Sequence, residues 1–206
     1  MAPCLIPCGF YQLKMQFKIF GMQVYISFMF AAYITLLLFI DQTGLIMPVL
    51  ISNLIHEFGH AWAMNKVRCK IIKLELKPGG CLLTVPPFKT TKDEIFVALC
   101  GPIFNFAFCI IFIVVWLMFN IEGCFVAAVI NGGLCCFNML PIKGLDANTV
   151  MYCLIAKKHI EIYNLLSTLF LLLFSIVGIL FFMAYGINTS VIVVAIYLVC
   201  CYVFKI

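Results

Sequence analysis

The feature that most constrains the fold is a series of apolar segments, each about as long as a helix that crosses a lipid bilayer. A crossing helix needs about 20 largely apolar residues. Six such segments are present, at residues 24–40, 45–64, 95–119, 124–140, 161–185 and 187–204. Only 10% of the residues are charged, whereas a soluble domain carries about 25%. We therefore predict an all-α integral membrane protein, formed by a single domain over residues 1–206, with six transmembrane helices.

Short β structure is predicted beside the helices. Residues 14–19 alternate between polar and apolar side chains, which is typical of a strand. Between the second and third segments, polar and apolar side chains alternate at residues 73–77. Pro78-Gly79-Gly80 then turns the chain and residues 81–85 follow, so residues 71–85 predict a short cytoplasmic or interfacial β-hairpin. Thr91 and Glu94 then have the spacing of a capping box, which predicts the start of the third helix.

The basic residues predict the orientation of the helices. All 13 lysine and arginine residues fall before segment one, between two and three, between four and five, or after six. With six crossings they all lie on one side of the membrane, and the other side holds only Asp41 and Glu122. By the positive-inside rule the basic side is the cytoplasm, so both termini are predicted to be cytoplasmic. Residues 1–20 lack a long apolar core and a small-residue cleavage site, so we expect no removable signal peptide.

A candidate metal site lies inside the second apolar segment, in the sequence His56-Glu57-Phe58-Gly59-His60. Residues four apart share one face of a helix, so His56 and His60 point the same way and can bind one zinc ion. Glu57 follows the first histidine, where its carboxylate can act as general base toward water. Ionisable side chains are costly in lipid, which favours a functional role over simple helix packing. The histidines are roughly 9–15 Å along the helix from Lys66, nearer the cytoplasmic side.

A catalytic zinc ion needs a third protein ligand, and Asp146 is the best candidate. It follows the cytoplasmic end of segment four, where Pro141 stops the helix and frees the chain to turn back. The alternative is that Asp146 only caps the short helix that we predict to run to about Lys158. The third histidine, His159, is expected to be exposed. Four other carboxylates fit less well because surface-like charges surround them: Glu75, Asp93, Glu94 and Glu161.

The 12 cysteines do not predict a disulfide framework. Several fall within apolar runs, where cysteine acts as a small hydrophobic residue: Cys100, Cys109, Cys135, Cys136, Cys200 and Cys201. Cys4 and Cys8 form only a weak metal-binding pattern.

Three sequence patterns together resemble the site-2 protease family of intramembrane zinc metalloproteases. They are His56-Glu57-x-x-His60, then Gly101-Pro102-x-x-Asn105, then Asn138-Met-Leu-Pro141 through to Asp146, and the resemblance runs from about Lys14 to Lys158. The chain has no inserted domain between the helices, and this short form looks most like the bacterial sporulation branch, whose members process a membrane-associated pro-sigma factor.

The resemblance implies a zinc-dependent endopeptidase that cleaves in or near a transmembrane segment of a regulatory membrane protein of the pro-sigma or anti-sigma type. It implies that His56, His60 and Asp146 bind one Zn²⁺ ion, that Glu57 activates water, and that Asn138 holds substrate or polarises the scissile carbonyl. The expected location is the bacterial cytoplasmic membrane. The expected partners are the lipid bilayer, a membrane-protein substrate and an inhibitory membrane partner, with no nucleic acid.

Two residues near Asp146 bear on this expectation. The family usually follows the aspartate with glycine, and here the next residue is Ala147. If that position needs a positive φ, the loop must be rearranged, because alanine adopts such a φ poorly. Lys143 places a positive charge in the same loop, where snorkelling to the membrane surface is favoured over a catalytic role.

Other readings of the sequence stay open at this stage. An inactive relative would keep the fold as a membrane scaffold but lose Glu57 or a ligand, and this chain keeps all of them. A metal transporter should show polar positions on several helices and inverted repeats, whereas segments one and six are almost wholly apolar. The hairpin at residues 71–85 offers an edge strand for an unwound substrate, with a simple connector as an equal alternative. Asn131, deep in segment four, is expected to form a helix-packing hydrogen bond rather than a substrate contact.

Overall fold

A computed structural model describes residues 14–19, 22–77, 80–156 and 159–185. Its elements in chain order are β1 (Lys14–Ile19), β2 (Met22–Ser27), α1 (Phe28–Ile40), α2 (Ile46–Lys66), β3 (Lys73–Lys77), β4 (Gly80–Thr84), α3 (Thr91–Phe119), α4 (Glu122–Asn138), α5 (Asp146–Met151), a π-helical segment (Tyr152–Ala156) and α6 (Ile160–Tyr185). The chain divides into two compact units. One consists of Met1–Ile46 with Cys69–Pro87, and the other of Met47–Arg68 with Phe88–Ile206.

The first unit contains a four-stranded sheet in the order β1-β2-β3-β4. β1 pairs with β2 and β3 pairs with β4 in antiparallel fashion, while β2 and β3 are parallel. Alternation of side chains gives the sheet two different faces. The register places Val24 beside Leu74 on one face and Tyr25 beside Glu75 on the other. Glu75 is buried, and Lys73 Nζ lies 2.6 Å from its carboxylate.

The sheet corrects two expectations. The strand predicted at residues 14–19 is present as β1, but residues 24–27, predicted to begin the first transmembrane helix, belong to β2 instead. The helix that follows, α1, has only 13 residues, which is short of the roughly 20 needed for a simple crossing. The all-α prediction is therefore wrong for this part of the chain, because the protein combines helices with a four-stranded sheet. The predicted hairpin is present as the antiparallel β3–β4 pair. Its cytoplasmic or interfacial location stays a prediction.

The second unit is built from helices. Within the described residues, two helical stretches are long and apolar enough to cross a membrane: Thr91–Phe119, with a mean hydropathy of 2.5, and Ile160–Val177, with 2.0. Helix α2 has 21 residues but falls below them in apolarity, since it carries the two histidines, Glu57 and other polar side chains. The sixth predicted segment, residues 187–204, lies outside the described residues, so the number of six spans stays a prediction.

The start of α3 differs by one residue from the expected cap. Thr90, rather than Thr91, is the N-cap, and its side chain accepts a hydrogen bond from the Asp93 backbone N–H at 3.1 Å. A threonine in this position satisfies one of the free N–H groups in the first turn.

Candidate metal centre

Helix α2 brings His56 and His60 together, as their spacing predicts. The helix is continuous from Ile46 to Lys66, so residues four apart stand one turn apart on the same face. Both side chains are buried. Their Nε2 atoms are 3.1 Å apart, and the two rings meet edge to face with an interplanar angle of 82°.

Asp146 reaches the histidines because the loop after α4 is anchored in an apolar cluster. Ile142 and Leu145 are buried against Leu171 of α6, which fixes the loop on both sides of its turn. Asp146 Oδ2 then lies 2.9 Å from His56 Nε2, and Oδ1 lies 3.3 Å from His60 Nε2.

Asp146 is not the cap of the helix that it begins. The N-cap of α5 is Leu145, which offers no side-chain hydrogen bond, and Asp146 is the first helical residue. The alternative in which Asp146 only caps this helix is therefore wrong. Ala147 takes no positive φ, since the described non-glycine residues that do so are Arg68 and Asn120. The loop thus needs no rearrangement to accommodate alanine after the aspartate.

The three side chains fit a tetrahedral divalent metal ion. Zinc–ligand bonds of about 2.0–2.1 Å in tetrahedral geometry place neighbouring ligand atoms about 3.3 Å apart, close to the separations that are observed here. Although Asp146 Oδ2 is near His56 Nε2, it is buried and has no properly aligned hydrogen-bond partner among the described residues. A buried acceptor without a donor is the state expected of an atom that binds a cation. Among the described residues, His56, His60 and Asp146 form the group of three that could hold a metal ion.

The protonation of His60 is set by the backbone of α3. Its Nδ1 lies 2.8 Å from the carbonyl oxygen of Val97. A carbonyl can only accept a hydrogen bond, so Nδ1 carries the proton. Nε2 then directs its lone pair to the position between the three side chains where a metal ion would bind. Metal-binding histidines are commonly oriented in this way, through the ring nitrogen that does not bind the metal.

Two glycines allow α3 to approach the metal-site face of α2. A Cβ atom on Gly101 would lie 2.4 Å from His60 Nε2 and 2.8 Å from His56 Cε1. A Cβ on Gly59 would lie 2.6 Å from the carbonyl oxygen of Cys100. In the sequence, Gly101 is recognisable only as part of a family pattern. Its packing directly against both imidazoles was not predicted. No local periodicity signals that role, because it depends on which helix packs there.

Glu57 lies between the histidines in sequence and is half-buried. It interacts electrostatically with His60, His56 and Asp146. Its role as general base stays a prediction, consistent with this proximity.

Asn138 is the last residue of α4, and its Nδ2 donates to the Leu134 carbonyl of the same helix at 3.0 Å. Its predicted contact with substrate is not tested by this arrangement. Asn131, in contrast, makes the expected packing bond, because its Nδ2 donates to Ser52 Oγ of α2 at 2.8 Å. Lys143 Nζ lies 5.9 Å from the centre of the Tyr163 ring, a cation–π contact that holds its charge beside α6.

The other candidate ligands lie apart from this cluster. His159 is exposed, as expected. Glu75 lies in the sheet, where it pairs with lysines. The first turns of α3 and α6 contain the remaining three, Asp93, Glu94 and Glu161. There the positive end of the helix dipole stabilises a carboxylate.

Comparison with known proteins gives three similarities. Residues 44–124 match the family model described as peptidase family M50. The chain is similar to the zinc metalloprotease MJ0392 of Methanocaldococcus jannaschii, with 27% identity over 156 residues, which is 69% of this chain and 45% of that protein. The chain thus spans less than half the length of this relative. The fold is similar to that of the solved site-2 protease from Methanocaldococcus jannaschii, with a TM-score of 0.66, 22% identity, and coverage of 90% of this chain and 91% of that one.

Proposed function

We propose that this chain belongs to the site-2 protease family (peptidase family M50) and is a zinc-dependent intramembrane endopeptidase. The observation that carries the proposal is the convergence of His56, His60 and Asp146 within 3.3 Å of one another, beside Glu57. Two neutral imidazoles and a carboxylate are a common ligand set for catalytic zinc, and they leave a fourth position open.

The proposed mechanism assigns a task to each of these side chains. When bound, zinc supplies a Lewis acid that polarises a peptide carbonyl and makes water more acidic. His60, oriented by Val97, and His56 would hold the ion from α2, and Asp146 would hold it from the start of α5. Glu57 accepts a proton from the attacking water and passes it to the leaving amine. Asn138, at the end of α4, turns from its own helix toward the substrate and donates to the scissile carbonyl.

The proposed substrate is a membrane-associated regulatory protein, cut in or near its transmembrane segment. A peptide bond in a membrane helix is already hydrogen-bonded, so the segment must unwind before water can attack. Unwound backbone needs new partners, and β4 is an edge strand of the sheet, which is the arrangement that strand addition requires. The lack of a domain inserted between the apolar segments favours a pro-sigma or anti-sigma factor over other membrane proteins.

Co-expression tests the substrate class. Tagged pro-sigma and anti-sigma factors, each expressed with the wild-type chain in a bacterial membrane, should show a size shift for at least one candidate. The shift should vanish with the Glu57→Gln variant, expressed at the same level. A shift that persists with this variant would assign the cleavage to a host protease or remove Glu57 from the mechanism.

The proposed topology is multi-pass with both termini in the cytoplasm. It is supported by the placement of all 13 basic residues on one side of the six apolar segments. A reporter fused after Glu122 should be non-cytoplasmic, whereas one fused after Lys92 should be cytoplasmic. A cytoplasmic reporter after Glu122 would contradict this topology.

A further inference from the structure

The face of α3 that meets the histidines continues one turn beyond them, to Asn105. Val97, Gly101 and Asn105 are four residues apart and therefore form one stripe on the helix. Val97 contacts His60, while Gly101 lies against both imidazoles. The two helices thus run antiparallel at this point, and Asn105 continues the stripe by about 6 Å toward the His56 end of the pair.

Two polar groups in this region are buried without partners. Asn105 is 0% exposed, and neither its Oδ1 nor its Nδ2 has a hydrogen-bond partner among the described residues. His56 Nδ1 is in the same state. Buried polar atoms are nearly always hydrogen-bonded, so each of these calls for an explanation.

A second asparagine in the same bundle differs from Asn105 at its amide nitrogen. Asn131 is also 0% exposed and its Oδ1 likewise lacks a partner among the described residues, but its Nδ2 donates both to Ser52 Oγ and to the Ala127 carbonyl at 2.8 Å. Asn131 is thus held by the packing of α4 on α2. Asn105 has no such bond, although it stands on the stripe that orients the neighbouring histidine.

We propose that Asn105 is a positioning residue for His56. When Nε2 of His56 binds a metal ion, its Nδ1 carries the ring proton and must donate it to an acceptor. Asn105 Oδ1 is that acceptor, through one buried water that bridges the two unpartnered groups. Asn105 then does for His56 what the Val97 carbonyl does for His60, so that α3 orients both imidazoles. The inference rests on the proposed function only in that His56 binds the metal.

The test measures zinc affinity and folding separately. Wild type and variants are purified whole in detergent, stripped of metal, and titrated with zinc against a chromophoric chelator, and the Tm of each metal-free protein is recorded. Asn105→Leu keeps the size of the side chain and removes the acceptor. Asn105→Asp keeps an acceptor and strengthens it. Asn131→Leu is the matched control, since it makes the same change at the other buried asparagine.

Asn105→Leu is expected to weaken zinc binding about 10–100-fold, the range seen when the partner of a metal-bound histidine is removed. Asn105→Asp should bind zinc at least as tightly as wild type. Asn131→Leu should lower the Tm while leaving zinc affinity within about threefold.

Two outcomes would overturn this inference and leave the proposed function intact. One is a zinc affinity of Asn105→Leu equal to that of wild type, and the other is an equal loss of zinc affinity in Asn105→Leu and Asn105→Asp. If Asn105→Leu does not fold, Asn105→Asp decides, because affinity more than about tenfold below wild type would contradict an acceptor role. A wild-type protein that binds no zinc would overturn both this inference and the proposed function.

Discussion

Replacement of Gly101 by alanine is the sharpest test of the helix packing beneath the metal site. The new Cβ would lie 2.4 Å from His60 Nε2, 2.6 Å from His60 Cε1 and 2.8 Å from His56 Cε1. Ordinary contact begins at about 3.4 Å, so the His60 ring or α3 must move by about 1 Å. One methyl group thus presses on both histidines at the atoms that face the metal.

The expected loss of zinc affinity follows from that displacement. Zinc–ligand distances hold within about 0.2 Å of their preferred values, which a shift of about 1 Å greatly exceeds. Changes that only loosen the orientation of a ligand already cost about 10–100-fold in affinity. We therefore expect Gly101→Ala to weaken zinc binding by about 100-fold or more, and to destabilise the metal-free fold by about 1–3 kcal/mol through overpacking.

Two other glycines separate the metal effect from general packing. Gly133 lies in α4, and a Cβ added there would have nothing within 4 Å of it, so Gly133→Ala should keep zinc affinity and raise the Tm slightly through better helix propensity. Gly59→Ala would press on the rigid carbonyl of Cys100 and should lower the Tm more than Gly101→Ala does, because an imidazole can rotate and a backbone cannot.

The assay is zinc titration against a chelator in detergent, together with thermal unfolding of the metal-free proteins. Zinc affinity of Gly101→Ala within about threefold of wild type would refute the close approach of α3 to the histidines.

Two further predictions concern hydrogen bonds that support α5 and the start of α2. The Tyr163 hydroxyl donates a hydrogen bond to Asn148 Oδ1 at 3.0 Å. Tyr163→Phe should therefore cost about 1 kcal/mol of stability, measured by unfolding, and weaken zinc binding less than tenfold, measured by titration. Unchanged stability would show that this bond does not support α5. Hydrogen bonds from the Ile46 N–H and from Thr43 lower the pKa of Asp41 below its ordinary value of 3.8. A lowered pKa in the folded state means that this contribution to stability is present above pH 3.8 and is lost as the pH falls through the lower value. The Tm difference between wild type and Asp41→Asn should accordingly be constant from pH 7 to 5 and shrink below 3.8, and a difference that grows on acidification would contradict the assignment.

The metal-site residues could be predicted because their geometry is largely local. His56 and His60 are set by helix spacing alone, and Asp146 follows a proline that must end α4. Their convergence still depends on Ile142 and Leu145 packing against α6. That contact joins residues far apart in the chain, and the sequence alone does not specify it.

The sheet was only partly predictable for the same reason. The segment Met22–Ser27 alternates between apolar and polar side chains, a signal for a strand that the apolar run continuing into α1 obscured. Its parallel pairing with β3, some 50 residues later in the chain, has no signature in either strand. The contact of Gly101 with both imidazoles and the burial of Asn105 without a hydrogen-bond partner among the described residues likewise become visible only when α3 is placed against α2.

In the proposed mechanism, Glu57 activates water at a zinc ion held by His56, His60 and Asp146. The most direct measurement compares purified wild type with Glu57→Gln for bound zinc and for cleavage of one tagged membrane substrate. The proposed mechanism predicts one zinc ion per chain in both proteins, and cleavage in the wild type alone. Cleavage by Glu57→Gln at the wild-type rate, or a wild-type protein that cleaves without zinc, would contradict it.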